Sequence, residues 1–282
     1  MDNILKVRNL SKNYDGFSLQ NVDISLPKGC IMGFIGENGA GKSTTIKLIL
    51  NLIKKDGGDI SIFGEDNIQS EKRIKEDVGV VLDESNFPFT MRGMDIDAVM
   101  KNIYKNWNSE VFKQYMQKFN IPLKKTFKEY SRGMKMKLSI AAALSHDAKL
   151  LILDEATSGL DPIVRDEILD VFLEFIQDEN RSIFISSHII SDLEKITDYI
   201  TFIHEGKIIF SEPRDALLEK YCVIKCDEEE FKKLSNDVII GVRKNRFGIE
   251  ALVFKNKLPQ NYETEHTTIE DIMLFYVKGE KA

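Results

Sequence analysis

The stretch Gly36-Glu37-Asn38-Gly39-Ala40-Gly41-Lys42-Ser43 has the residue types and spacing of a phosphate-binding P-loop. Its glycines let the backbone turn tightly enough for successive N–H groups to converge on anionic oxygens. An apolar strand precedes the loop and a helical pattern begins near Lys42, so the positive end of a helix adds to the cradle. In this arrangement Lys42 reaches the β- and γ-phosphates of a nucleoside triphosphate, and the Ser43 hydroxyl ligates Mg²⁺. The nucleotide-binding set is read as Gly36, Asn38, Gly39, Ala40, Gly41, Lys42, Ser43 and Thr44. A chance glycine-rich turn would not meet both the spacing and the strand–helix context. A second source of chemistry is KLLILDE, an apolar strand ending in Asp154 and Glu155. Open α/β sheets bind ligands at the carboxyl ends of their strands. Asp154 is placed to hold the metal and Glu155 to act as general base on an attacking water. Two acids after a strand can also simply open a turn; the apolar run and the P-loop together favour the catalytic reading.

These groups need a sheet to carry them. Cys30 to Gly36, Val78 to Leu82, Lys149 to Leu153 and Ser182 to Ser186 are short runs too apolar for strands with one wet face. They read as central strands buried on both sides, separated by helical patterns, the signature of an α/β fold. The first helix is expected from Lys42 to about Ile53. Between the second and third runs, from about Met94 to Ser145, no β-rich segment occurs, and a helical insertion is expected. KVRN, LQNVDISLP and GDISIF show looser alternation, as a small antiparallel layer would. After YITFIHEGKIIF the composition shifts. PRDALLEKY reads as a helix, CVIKC, VIIGVRKN and ALVFKN as strands, and TTIEDIMLFYV as a closing helix. The expected division is an ATPase-like domain over 1–215, with a helical subdomain at about 84–148, and a small α+β module over 216–282.

Composition narrows the class. The chain has 282 residues, 43% hydrophobic and 30% charged, which is ordinary globular usage. A net charge of −6 argues against a chain whose main task is coating nucleic acid. No run reaches the ~18 apolar residues needed to span a bilayer, and the N-terminus lacks the apolar core of a signal peptide. The expectation is a cytoplasmic protein that meets a membrane only through a partner. Cys222 and Cys226 lie roughly 13 Å apart along a strand, beyond the ~7 Å a disulfide tolerates. No His/Cys cluster suggests zinc.

Further motifs in register with these narrow the reading. Tyr130-Ser131-Arg132-Gly133-Met134 precedes KMKLSIAAAL just upstream of the DE strand, Ser158-Gly159-Leu160-Asp161 follows that strand, and His188 follows SIFIS. Tyr14 lies in a loop before the P-loop. In this order they resemble the ATP-binding subunits of ABC transporters, over roughly residues 1–215. The resemblance implies a P-loop ABC ATPase core with antiparallel and helical subdomains, and ATP with Mg²⁺ as substrate and cofactor. It makes Ser131 and Gly133 the signature residues that meet the γ-phosphate held by an opposing subunit, His188 the switch histidine, and Tyr14 the aromatic residue stacking on adenine. Asp161 followed by Pro162 also suits a helix N-cap and first turn, and Ser131 suits an N-cap as well.

Three positions depart from the family pattern. Arg132 replaces a signature glycine, Met134 replaces its glutamine, and Asp83 stands where the Q-loop glutamine ligates Mg²⁺ and touches the water. A carboxylate still serves an oxygen-loving cation, but it adds negative charge near the γ-phosphate. Glu84 is adjacent, so either acid can be the Q-loop equivalent. The resemblance further implies a separate transmembrane permease, a head-to-tail homodimer or a heterodimer with a sister ATPase, and a place on the cytoplasmic face of the membrane. The ending TTIEDIMLFYVKGE resembles the bacterial drug and antimicrobial-peptide exporter group. An importer ATPase, and a non-transport ABC ATPase of translation or DNA repair, are the alternatives. The latter commonly carry two cassettes or a long coiled coil, and this chain carries one P-loop and a short insertion.

Overall fold

The structure, a computed structural model, describes residues 2–83, 87–245, 248–259 and 262–280. They divide into two compact units, Met1–Ser211 and Glu212–Ala282.

The first unit holds two sheets. β1 (Asn3–Tyr14), β2 (Phe17–Pro27), β4 (Gly57–Ile62) and β5 (Glu65–Asp66) form the antiparallel layer, in the order β2-β1-β4-β5. The central sheet contains β3 (Ile31–Ile35), β6 (Val78–Val81), β7 (Leu150–Asp154), β8 (Ser182–Ser187), β9 (Tyr199–His204) and β10 (Lys207–Pro213), ordered β10-β9-β3-β8-β7-β6. β3, β7 and β8 are buried at every residue. This is what their uninterrupted apolar runs require: a parallel sheet covered on both faces has no wet side to alternate toward. β8 pairs in parallel with β3 on one side and β7 on the other.

The core joins the two sheets through α1 (Lys42–Ile49). Leu5, Val7 and Leu26 of the antiparallel layer, Ile46 and Ile49 of α1, and Phe34 and Phe184 of the central sheet belong to one buried cluster. The Phe34 and Phe184 rings sit 5.3 Å apart. α1 is shorter than the apolar pattern suggested: it caps at Leu50, and Asn51 takes a left-handed conformation with φ 54°, a common way to stop a helix.

Between β6 and β7 the insertion is helical, as expected. It comprises α3 (Gly93–Ile103), α4 (Ser109–Lys118) and α5 (Arg132–Leu144), while α2 (Glu71–Glu76) lies before β6. α5 packs closely on β6, where Gly79 has no room for a side chain: a Cβ would stand 2.7 Å from the Ala143 carbonyl oxygen. α6 (Pro162–Phe175) and α7 (Ile190–Ile196) follow β7 and β8. Asp161 caps α6 by accepting from the Val164 N–H, with Pro162 in the first turn.

The second unit is an antiparallel sheet, β12-β13-β11-β14, with β11 (Tyr221–Cys226), β12 (Ile239–Asn245), β13 (Gly248–Phe254) and β14 (Thr264–Glu265). α8 (Arg214–Lys220), α9 (Glu228–Phe231) and α10 (Ile269–Lys278) accompany it. α9 buries none of its residues, as a solvated charge run should. Cys222 and Cys226 are buried free thiols on β11. Burial pushes both up from the ordinary thiol range.

Candidate nucleotide site

Strand order brings the site together. Because β8 lies between β3 and β7, Ile35 sits beside Ser187 and Asp154 beside Ser186. The P-loop after β3, the histidine after β8 and the acids ending β7 therefore emerge as neighbours at the carboxyl ends of three adjacent central strands.

The loop itself depends on Gly41. It caps α1 with φ 113°, and a Cβ there would come within 2.5 Å of Leu19 Cδ2 and 3.0 Å of Phe17 Cζ. Ala40 is pinned from both sides, its N–H donating to the Glu37 carbonyl and its own carbonyl accepting from Gly206 N–H. Lys42 is 5% exposed. Its Nζ donates to the carbonyls of Gly36 (2.8 Å) and Glu37 (3.2 Å) and lies 3.5 Å from Glu155 Oε1. The ammonium is thus held by the loop that would present it to phosphate.

Glu155 occupies a left-handed conformation, φ 54°, unusual for a residue with a side chain. Such backbone strain costs about 1–3 kcal/mol and persists where the surroundings enforce it. Here the Glu155 N–H donates to both the carbonyl and the Oγ of Ser186. The Ser186 hydroxyl in turn donates to Asp154 Oδ1 at 2.5 Å. One buried serine thus fixes both acids, and nothing in the sequence pattern singled it out. The Glu155 carboxylate then reaches His188: Oε2 is 2.6 Å from Nδ1 and accepts from the His188 backbone N–H at 3.4 Å.

These groups open on a cleft of about 700 Å³. Asn38, Gly39, Gly41, Lys42, Ser43, Thr44, Asp83, Glu155 and His188 line it, so most of the residues read from the motifs meet there. Gly36 contributes through its carbonyl to Lys42. Asp154 is buried, held by Ser186. Gly16, Phe17, Glu37 and Ser158 also line the cleft and were not singled out as site residues. Tyr14 does not line it. Tyr14 and Phe17 are opposed across the β1–β2 turn, and Phe17 is the aromatic residue on the cleft wall; Tyr14 is 48% exposed with Lys12 Nζ 5.4 Å from its ring centre. Tyr14, expected in a loop before the P-loop, is the last residue of β1, and Phe17 rather than Tyr14 meets the cleft.

Ser131 and Gly133 are likewise absent from the lining of their own chain's cleft. Ser131 caps α5, its Oγ accepting from the Met134 N–H at 3.2 Å. Asp83 reaches Arg132, Oδ1 to Nη2 3.4 Å. Glu84, the alternative Q-loop residue, lies outside the described residues.

A strand–P-loop–helix unit, with an acid pair and a histidine at the adjoining strand ends, defines a P-loop ATPase. The family profile described as "ABC transporter" matches residues 19–158. The chain is 38% identical over 225 residues to the bacitracin transport ATP-binding protein BcrA of Bacillus licheniformis, covering 78% of this chain and 73% of that protein. It is 36% identical over 215 residues to the lantibiotic transport ATP-binding protein SrtF of Streptococcus pyogenes, covering 75% and 92%. Among solved structures, an ATP-binding subunit of an ABC transporter superposes with TM-score 0.69 at 25% identity, over 76% of this chain and 91% of that one. The chain belongs to the ATP-binding subunits of the ABC transporter family, and its activity is ATP hydrolysis. No helix among the described residues is long and apolar enough to cross a membrane.

Proposed function

We propose that this chain binds Mg·ATP in the Lys42–Glu155–His188 cleft, closes on a second cassette, and drives a separate membrane permease that exports peptides. The observation that carries the catalytic half is the Glu155 carboxylate, set between Lys42 Nζ and His188 Nδ1 on the cleft wall. Glu155 accepts the proton of the attacking water. His188 orients that carboxylate, and Lys42 takes the β- and γ-phosphate oxygens in place of the loop carbonyls it now holds. The donors available to Mg²⁺ are the Ser43 hydroxyl and the Asp154 and Asp83 carboxylates, the hard oxygen set that this ion prefers. When bound, Mg²⁺ neutralises charge on the phosphates.

The transport half rests on relatives whose names specify bacitracin and lantibiotic transport. A permease carried on another polypeptide, and a position on the cytoplasmic face of the membrane, go with that reading. The test is Glu155→Gln. It should retain ATP binding, lose nearly all hydrolysis and accumulate an ATP-bound dimer. Co-expressed with its permease, the wild-type chain should raise the bacitracin or lantibiotic concentration tolerated by a sensitive host, and Glu155→Gln should not. Near-wild-type turnover by Glu155→Gln would overturn the catalytic assignment. Unchanged tolerance with the wild-type pair would overturn peptide export.

A further inference from the structure

Two of the residues that depart from the family pattern touch each other. Arg132 Nη2 lies 3.4 Å from Asp83 Oδ1, 49 residues away in the chain. The same guanidinium lies over Gly159: a Cβ there would stand 2.5 Å from Nη1, and φ 66° already favours glycine. Arg132 thus rests on two segments that border the cleft, since Asp83 and Ser158 both line it.

The charges in that cleft explain what an arginine there does. Among the described residues, Glu37, Asp83 and Glu155 line the cleft with one lysine, Lys42, and no arginine; His188 lines it too, and His204 Nδ1 lies 3.3 Å from Glu37 Oε2. An entering triphosphate brings further negative charge, and a carboxylate facing it repels it unless a cation is close. Arg132 is the cation beside Asp83. Both side chains are more than half exposed, 59% and 52%, so the pair forms and releases at little cost.

We infer that Arg132 serves the nucleotide cleft of its own chain by neutralising Asp83, while Ser131 and Gly133 on either side of it serve the cleft of a second copy. The second clause rests on the two-cassette reading above; the first does not. One tripeptide at the start of α5 then addresses both nucleotides, and the charge state of one cleft bears on the backbone that completes the other. In this role Arg132 is a positioning residue acting through Asp83.

The test is equilibrium binding of a fluorescent ATP analogue to the full chain, diluted until light scattering shows single copies, in EDTA and low salt. Arg132→Met should weaken binding about two- to fivefold, the range open to an exposed ion pair. Adding Asp83→Asn to Arg132→Met should restore it, and raising the salt should erase the difference. Arg132→Gln serves as a second variant, and circular dichroism melting checks that each folds. Unchanged dilute binding in both arginine variants would overturn the inference, as would failure of Asp83→Asn to rescue. If Arg132→Met lowered hydrolysis only at high protein concentration, Arg132 would belong to the opposing cleft, and the inference would again fall. Failure of the two-cassette reading shows separately, as wild-type hydrolysis linear in protein concentration.

Discussion

Glu155 Oε2 lies 2.6 Å from His188 Nδ1, joining the end of β7 to the loop after β8. Adjacent strands in parallel register put the two residues next to each other, and Ser186 accepts the Glu155 N–H through both its carbonyl and its Oγ. The other oxygen of the same carboxylate faces Lys42 Nζ at 3.5 Å. Lys42, Glu155 and His188, the proposed phosphate-binding cation, base and orienting group, therefore form one chain of contacts.

The first prediction concerns His188. If its role is to hold the Glu155 carboxylate, His188→Ala should lower the ATP turnover number about 10²–10⁴-fold, the range for a disrupted general-base step. ATP affinity should stay within a few-fold of wild type, because His188 is not expected to carry the phosphates. Steady-state kinetics beside direct nucleotide binding separate the two. A large loss of affinity with turnover preserved would remove His188 from this role.

Lys42 calls for the opposite pattern. Hydrogen bonds to a charged group contribute about 1.5–3 kcal/mol each. Lys42→Ala should therefore weaken ATP binding at least about tenfold. AMP, which lacks the β- and γ-phosphates, should bind either protein equally. Isothermal titration with ATP and AMP reads both, and an equal loss for the two ligands would mean that the loop itself had collapsed.

The central strands and the P-loop were legible in the sequence because each follows from local composition: uninterrupted apolar runs for buried strands, glycine spacing for the cradle. What could not be read was anything set by pairing across the sheet. Ser186 holds both acids only because β8 lies beside β7. Phe17 rather than Tyr14 lines the cleft although the two are paired across the β1–β2 turn, so neither residue type nor spacing separates them. The Arg132–Asp83 contact spans segments distant in sequence, although both residues stood out singly as departures from the family pattern. The stop of α1 at Ile49, before the end of its apolar pattern, turns on the left-handed conformation of Asn51.

Ser186 itself yields a prediction. Ser186→Ala removes the hydroxyl that donates to Asp154 and one of the two acceptors of the Glu155 N–H, leaving the Ser186 backbone carbonyl as the other. A buried carboxylate that loses such a partner costs about 1–3 kcal/mol. The variant should melt lower, and its turnover should fall more than its ATP affinity. A variant with wild-type turnover would show that Ser186 is only packing.

His146 gives the fold a dependence on pH. It is buried against Tyr104, ring centres 4.0 Å apart, with Nδ1 3.1 Å from the Glu76 carbonyl oxygen. Among the described residues its Nε2 has no hydrogen-bond partner. Burial lowers its pKa below the ordinary 6.5, against the opposing influence of Glu76 and Asp77. The unfolded chain therefore takes up the proton first as pH falls. The stability that neutral His146 contributes is fully present above about pH 6.5 and is lost as pH drops through the lower folded-state value. Thermal melts at pH 7.5 and 5.5 should show a fall in wild type that is smaller in His146→Gln. Equal falls in both proteins would assign the pH dependence elsewhere.

Assembly follows from what the cleft lacks. Ser131 and Gly133 carry the signature pattern, yet they do not line the cleft of their own chain. If they bind a γ-phosphate, it is one held by another copy, and mutual exchange between two copies makes a two-fold dimer. Hydrolysis by the isolated chain should then rise faster than linearly with protein concentration. Mixing two inactive variants gives a sharper test. Lys42→Ala should hold ATP poorly, and Ser131→Arg should block the γ-phosphate of an opposing copy. Each alone should be nearly inactive. In the mixed dimer, the intact P-loop of the Ser131→Arg chain faces the intact signature of the Lys42→Ala chain, so one complete site is rebuilt. An equimolar mixture should regain up to about a quarter of wild-type activity, because half of randomly formed dimers are mixed and each holds one site of two. A mixture no more active than its parts, with only single copies seen by light scattering in ATP, would rule out exchange between copies of this chain.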